Sequence, residues 1–296
     1  MRAVALIIVL VALASGIAAL MAFIAQASTT QPFGNELSDN LIFARAIPFA
    51  IAIGIAFGMF CASLTRSASE TKPGYVRRFS RATVIGHWVI TIGFVLALPT
   101  GVWQYLGGII DKSAPWPLYL IYRVHYIGAA IILASLAYFL TYWWITRHRG
   151  LLPPRGQWKS HLSAFALGLP PRLGRMVARS LRLRTAEAAT TPGQFSFYQT
   201  AFSFPMWTFA LTLITVTGLV KALRYLFEVP GPILWGASTL HVAAMVLLVL
   251  KVLDHLRYVF ERWPLMAAMT TTWISDRYAS AHFPGWRQRS DKSEAA

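Results

Sequence analysis

Four histidines lie inside stretches that are otherwise apolar and long enough to be helices: His87, His125, His241 and His255. The last two are fourteen residues apart on one apolar stretch, 233–260. At about 100° and about 1.5 Å per residue, a helix brings the second ring back to within roughly 40° of the first and roughly 21 Å further along the axis. An imidazole inside a membrane is costly unless it has a strong partner, and an iron porphyrin held between two such rings supplies one. The spacing therefore predicts two haem sites stacked across a membrane.

The composition is that of a membrane protein. Of 296 residues, 56% are hydrophobic and 13% are charged, and the mean hydropathy is +0.52, which excludes an ordinary soluble domain. The formal net charge is +16, but the basic residues are grouped in particular loops, so they indicate topology and anionic lipid before nucleic acid. The lone Cys61 excludes a disulfide scaffold, a cysteine-based metal site and the two-cysteine attachment of c-type haem. Any haem is therefore held non-covalently.

Six apolar stretches are long enough to cross about 30 Å of hydrocarbon. They cover 4–25, 44–64, 82–107, 118–145, 200–226 and 233–260. The first of them, after Met1 and Arg2, fits either a cleaved secretory signal or a retained helix. We expect an all-α membrane protein in which a four-helix di-haem bundle follows one or two additional N-terminal helices.

The charges of the loops set the orientation. The loop after the fourth stretch carries nine Lys or Arg residues against Glu187 alone, and the loop after the second stretch is also basic. The positive-inside rule makes both loops cytoplasmic. The chain then divides into four parts. Residues 1–27 are a signal peptide or first helix, and residues 28–76 are a periplasmic segment with an additional helix. Residues 77–262 are the di-haem bundle with its basic loop at 146–197, and residues 263–296 are a cytoplasmic tail.

With that orientation the histidines form two pairs by depth. His87 and His255 lie near the cytoplasmic ends of their stretches, whereas His125 and His241 lie near the opposite ends. Each pair comes from two different helices, as bis-histidine ligation requires. A single membrane histidine more often faces a cavity or bonds a carbonyl, but that does not account for two depth-matched pairs.

Small and basic residues accompany the histidines. Arg81 and Arg123 are within reach of haem propionates, and each is also explained as a headgroup contact or topology charge. Four glycines either leave room for a flat macrocycle or serve ordinary helix packing: Gly86, Gly101, Gly128 and Gly218.

Several of these stretches match one known pattern. It consists of Arg-Phe-Ser-Arg at 78–81 leading to Gly-His-Trp at 86–88, Arg-Val-His-Tyr-Ile-Gly at 123–128, the two histidines fourteen apart, and a tail at 265–286 that ends in His-Phe-Pro-Gly-Trp. The sequence resembles the cytochrome b (gamma) subunit of membrane-bound formate dehydrogenases over roughly residues 77–289. The related subunits of thiosulfate reductases and nickel-iron hydrogenases share the architecture.

The resemblance implies a set of ligands. His125 and His241 would hold one b-type haem near the extracytoplasmic face, and His87 and His255 would hold a second near the cytoplasm. A quinone would bind near the second haem. Gln199 matches a residue of that region, and Ser196 stands where the family has asparagine.

The resemblance also implies a location and partners. The chain would be a multi-pass protein of the bacterial inner membrane with a cytoplasmic C-terminus. It would pass electrons between quinone and a periplasmic oxidoreductase made of an iron-sulfur subunit and a molybdenum or tungsten catalytic subunit. The substrate reaction belongs to the partner, and the direction of electron flow stays open. Two other classes also stay open: a free-standing membrane cytochrome b, and a transporter or channel whose histidines relay protons without haem.

Lys251 and Asp254 are two charged residues three apart in the last apolar stretch. Charge at such a position has to be paired or hydrated. The two residues are therefore either a proton relay toward reduced quinone or an interfacial ion pair with a lysine that reaches out to the headgroups. The remaining histidines, at positions 148, 161 and 282, are expected to be solvated or structural.

Overall fold

The computed structural model describes residues 4, 6–16, 18, 36–65, 71–107, 118–147, 151–153, 155–184, 188 and 192–287. Five helices in these ranges are long and apolar enough to cross a membrane. The spans are Asn40–Leu64, Arg81–Gly107, Leu120–Thr146, Gln199–Leu223 and Gly231–Glu261. The prediction of an α-helical multi-pass membrane protein is confirmed.

The membrane spans belong to five long helical segments. They are α2 (Glu36–Leu64), α3 (Arg81–Gly107), α4 (Leu118–Thr146), a π-helical turn (Gln199–Ser203) that continues into α7 (Phe204–Leu223), and α8 (Gly231–Glu261). They match the last five of the six predicted stretches to within a few residues at most of their ends. From the first stretch the structure describes a shorter apolar helix, α1 (Leu6–Gly16), so a sixth crossing stays a prediction.

The chain divides into two compact units. The first comprises Met1–Thr65, Ala82–Arg147 and Ala210–Leu250. In this unit the additional helix α2 packs closely on α4. A Cβ on Gly54 would collide with the carbonyl of Ala134, and one on Gly58 would come within 2.7 Å of the Tyr138 carbonyl. This G-x-x-x-G spacing lets two backbones approach, and it makes α2 an integral part of the unit.

Glycines also close the contact between α3 and α4. A Cβ on Gly86 would lie 2.6 Å from the Tyr138 ring, and one on Gly128 would lie 2.6 Å from the backbone nitrogen of Ala97. Protein atoms already fill the space beside both glycines. The reading of Gly86 and Gly128 as room for a macrocycle is therefore wrong, because these two glycines allow the helices to pack.

The second unit comprises Arg66–Arg81, His148–Phe209 and Lys251–Ala296. It contains short elements that hydropathy does not predict. Three antiparallel strands pair in the order β1 (Thr71–Lys72), β2 (Tyr75–Arg77) and β3 (Trp273–Ser275), with Val76 opposite Ile274. The helices are α5 (Trp158–Leu167), α6 (Pro171–Ser180), α9 (Trp263–Thr271) and α10 (Asp276–His282).

A small core joins the tail to the segment that precedes α3. Arg78, 3% exposed, donates from Nη2 to the Gln194 carbonyl at 2.5 Å, and its guanidinium lies 4.0 Å from the Phe283 ring centre. Burial lowers the pKa of Arg78 to about 10. The apolar part of this core is Val76, Tyr258, Leu265, Ala268, Ile274, Ala279 and Phe283. The 78–81 motif and the tail motif of the sequence thus meet in one cluster.

Candidate functional site

The His125 ring on α4 is held by α3. Its Nδ1 lies 2.9 Å from the Ala97 carbonyl oxygen and 3.3 Å from the Thr100 hydroxyl. A carbonyl oxygen only accepts, so Nδ1 carries the proton and donates it. The lone pair of the imidazole is then on Nε2, which is the arrangement found in metal-ligating histidines.

The His241 ring on α8 is held by α7 in the same manner. Its Nδ1 lies 3.0 Å from the Thr217 hydroxyl oxygen. The single hydroxyl proton of Thr217 is donated to the Leu213 carbonyl at 2.7 Å, so the oxygen accepts from Nδ1. The backbone of Ile214 is a further hydrogen-bond partner of the ring. His241 therefore also presents an unprotonated Nε2.

A threonine-glycine dipeptide lies under each of these rings. A Cβ on Gly101 would stand 3.1 Å from His125 Cε1, and one on Gly218 would stand 3.2 Å from His241 Cε1. Each threonine thus contacts Nδ1 while the next residue leaves space for the ring edge. The sequence reasoning weighed the two glycines and missed Thr100 and Thr217. The signal was present, because both histidines follow a Thr-Gly pair by 25 and 24 residues.

The two rings lie in the same unit and close to each other. They are near enough that a charge on His125 would be felt at His241, and Lys221 of α7 lies near both rings. Met245 of α8 comes within 3.9 Å of the position a Cβ on Gly101 would take, so α8 reaches α3 beside His125. Two neutral imidazoles with one cation beside them form a donor set that suits an iron porphyrin with anionic propionates.

The site offers two histidine nitrogens as metal ligands. In the described ranges, no group of three or more His, Cys, Asp or Glu side chains is arranged to hold a metal ion. A haem needs only two protein ligands, which His125 and His241 can supply. Of the predicted propionate partners, Arg123 on α4 is half-buried and Arg81 at the start of α3 is exposed.

Replacing Gly218 by alanine should displace the His241 ring. The added Cβ would stand 3.2 Å from Cε1, so the ring has to shift by a few tenths of an ångström and its bond to Thr217 weakens. With a haem bound at His241, the absorption band of the reduced protein should shift, and the stability of the protein should fall by about 1 kcal/mol. Gly236→Ala is the matched control on α8, where a Cβ meets nothing within 4 Å. Identical spectra for the two variants would contradict this geometry.

The other two of the four membrane histidines, His87 and His255, belong to different units of the structure. His87 on α3 is half-buried and lies edge-on to Trp88 with ring centres 5.6 Å apart. His255 on α8 is half-buried and lies edge-on to Trp207 at 6.1 Å. Their pairing stays a prediction.

Ser196 and Gln199 contact each other. The Ser196 N–H donates to Gln199 Oε1 at 3.0 Å, and the Gln199 N–H donates to Ser196 Oγ at 3.2 Å. This is a capping box, which satisfies free backbone donors at a helix start. The box begins the segment that leads through the π-helical turn into α7. It accounts for both residue types without a ligand, and their role toward a quinone stays a prediction.

Lys251 and Asp254 form an ion pair in which the lysine is buried and the carboxylate is partly exposed. Lys251 is 4% exposed and its Nζ lies 2.6 Å from Asp254 Oδ2 and 3.0 Å from Ser203 Oγ. Tyr198 donates its hydroxyl proton to the same carboxylate. Burial and the bond to Asp254 raise the pKa of Tyr198, so this hydroxyl stays protonated. The lysine does not reach toward headgroups, and its ammonium is enclosed by the rings of Tyr198, Phe202 and Trp207 at 5.7–5.9 Å.

The expectation for the remaining histidines holds where the structure describes them. His282 is exposed and stacks on Tyr278 with ring centres 4.0 Å apart. His161 is 7% exposed, and its Nδ1 lies 3.0 Å from the Thr200 hydroxyl, which ties α5 to the π-helical turn. His148 lies outside the described residues.

Acidification should loosen the contact between α5 and the π-helical turn. Burial lowers the pKa of His161, so the unfolded state binds a proton more readily than the folded state does. The stability that the neutral His161 ring contributes is complete above the ordinary histidine pKa of about 6.5. It is lost as the pH falls below that value toward the lowered pKa of the folded state. The protection of the α5 amides, measured as their exchange rate relative to that of an unstructured chain at the same pH, should therefore fall below about pH 6.5. His161→Gln keeps a donor but does not titrate, and it should remove the dependence. An equal pH dependence in both proteins would contradict this assignment.

Comparison of the chain with protein-family models and with curated proteins finds no match. The site therefore has to be interpreted from its own chemistry.

Proposed function

We propose that the chain is the membrane-anchoring di-haem cytochrome b subunit of a respiratory complex similar to formate dehydrogenase. It would transfer electrons across the bacterial inner membrane between a periplasmic oxidoreductase module and the quinone pool. The observation that carries this proposal is that His125 and His241 have the same tautomer, with the proton on Nδ1. Each ring donates from Nδ1, which leaves the lone pair on Nε2 for a metal ion.

The threonines and glycines support this proposal because they fix the tautomer and the position of each ring, as the partners of a metal-ligating histidine do. Partners of the second ring nitrogen commonly change metal affinity by about 10–100-fold. Thr100 and Thr217 stand where such partners belong, and the Ala97 carbonyl is a second acceptor for His125.

The residues of the chain would have the following roles. His125 and His241 would ligate the iron of one haem, and His87 with His255 would ligate that of a second, as their depths in the sequence predict. When bound, the haems would supply one-electron couples, and two imidazole ligands on each iron would leave no position for oxygen or substrate. Lys221 would neutralise propionate charge beside the first pair.

The partner and quinone assignments follow from the sequence resemblance. An iron-sulfur subunit and a molybdenum or tungsten subunit would dock on the periplasmic face, and quinone would bind near His255. In this proposal the C-terminal tail is cytoplasmic. Thiosulfate reductase-type and hydrogenase-type complexes use the same kind of subunit and are the alternative within this class.

One experiment separates the anchor subunit from the other classes. The tagged chain is purified from native membranes in mild detergent, and iron, molybdenum and tungsten are measured per chain while menadiol is added. The anchor predicts haem reduction by the quinol and stoichiometric molybdenum or tungsten. A free-standing cytochrome predicts haem reduction with neither metal. A preparation whose absorption does not respond to quinol would overturn the proposal and favour a proton-relaying transporter.

A further inference from the structure

Helix α6 (Pro171–Ser180) has three different sides. Its spacing of about 100° per residue places Arg172, Arg175 and Arg179 within an arc of about 60°. The next arc carries Leu173 and Met176. The third side packs on protein, so the rotation of the helix is fixed and the other two sides face outward.

Gly174 fixes that rotation. It is buried, and a Cβ at this position would collide with the Ala166 carbonyl at the end of α5. The Gly174 N–H donates to the Pro170 carbonyl at 2.9 Å, within the turn that starts the helix. A close backbone contact of this kind leaves little freedom to turn the apolar side inward.

The apolar side is unusually open. Leu173 is 49% exposed and Met176 is 58% exposed. Two flanking residues extend the surface, since Leu167 at the end of α5 is 60% exposed and Leu181 after α6 is 51% exposed. Four large apolar side chains within fifteen residues are more than a solvated loop needs.

The basic side of α6 indicates that its partner is anionic. All three arginines of α6 are exposed, and the whole loop carries nine basic residues against Glu187. The preceding span ends at Thr146 and the next begins at Gln199, so both ends of the loop are tied to a membrane. An apolar side beside a cationic side is the pattern of helices that lie in a membrane surface and bind anionic headgroups.

We propose that α6 lies in the plane of the membrane surface and binds anionic phospholipid. Leu173 and Met176 insert among the acyl chains, and Arg172, Arg175 and Arg179 contact headgroup phosphates. This inference does not depend on haem, quinone or any partner subunit. The same apolar side covered by a protein is the competing possibility, and the experiment below distinguishes it.

The test uses nitroxide labels in the full chain with Cys61→Ser as background. Single cysteines are placed at Leu173 and Met176 on the apolar side and at Arg172 and Arg179 on the basic side. The protein is reconstituted in vesicles of phosphatidylcholine with phosphatidylglycerol, and in phosphatidylcholine alone. Collision with dissolved oxygen reports lipid exposure, and collision with a water-soluble nickel chelate reports water exposure.

The proposal predicts oxygen access at Leu173 and Met176 and nickel access at Arg172 and Arg179. Changing one of these arginines to glutamine should lower the ratio of membrane-docked to free helix by about fivefold, and each further change should lower it again by the same factor. Arg155 is an exposed loop residue outside α6, so Arg155→Gln should leave the ratio unchanged. Omitting phosphatidylglycerol should have the same effect as removing the arginines. Equal nickel access on both sides would overturn the proposal because the helix is then solvated. Labels at Leu173 and Met176 that are shielded from both reagents would overturn it in favour of a protein partner.

Discussion

Replacing His241 by alanine should lower the haem content from about two to about one per chain. The variant removes a proposed haem ligand and also leaves the Thr217 hydroxyl oxygen without its Nδ1 donor, which lies at 3.0 Å in the native protein. The remaining absorption should belong to the haem of His87 and His255. Pyridine haemochrome assay against protein concentration measures the ratio.

Two further variants test whether the loss of haem is specific to the His241 ligand. Thr217→Val keeps the ligand and removes the acceptor of Nδ1, so haem should be retained with an affinity lower by about 10–100-fold. His161→Ala changes a buried histidine outside the spans and should leave the haem content unchanged. If His241→Ala and His161→Ala retained the same haem content, ligation by His241 would be refuted.

Replacing Asp254 by asparagine should destabilise the protein by about 3–5 kcal/mol, since removing one partner leaves a buried charge without compensation. Lys251 is 4% exposed, and Asp254 Oδ2 is its anionic partner at 2.6 Å. Ser203 and the surrounding rings solvate the ammonium only in part. Lys251→Met removes the charge itself and should cost less, because Asp254 keeps its bonds to Tyr198 and Arg257.

Thermal or denaturant unfolding in detergent measures both variants. Glu261→Gln is the control, because Glu261 is 46% exposed in its ion pairs with Arg257 and Arg262 and should contribute about 1 kcal/mol or less. If Asp254→Asn were no more damaging than the control, the pair would not be a structural element of α8. A proton-relay role, the other reading of the sequence, would then gain support.

Much of the fold follows from hydropathy. Five predicted apolar stretches coincide with membrane-spanning helices because about 20 apolar residues have few other stable arrangements. The short elements of the second unit did not follow. The three strands pair Val76 with Ile274, residues almost 200 positions apart, and no local pattern specifies such a contact.

The site was predictable in part. Residue type and helical depth singled out His125 and His241, which the structure brings into one neighbourhood. The partners of Nδ1 were missed, because Thr100 and Thr217 look like ordinary small residues of membrane helices. For Gly86 and Gly128 the sequence left two explanations open, and only the contacts in the structure decide for helix packing. Ser196 and Gln199 show a third difficulty, because a capping box and a ligand-binding pair use the same side chains.

The most direct test of the account is the reduced-minus-oxidised absorption spectrum of the purified native chain, together with its haem-to-protein ratio. Bis-imidazole ligation predicts sharp low-spin b-type bands and about two haems per chain. A pure and folded preparation that lacks these bands, or one whose haem is high-spin, would contradict the ligand assignment to His125 and His241.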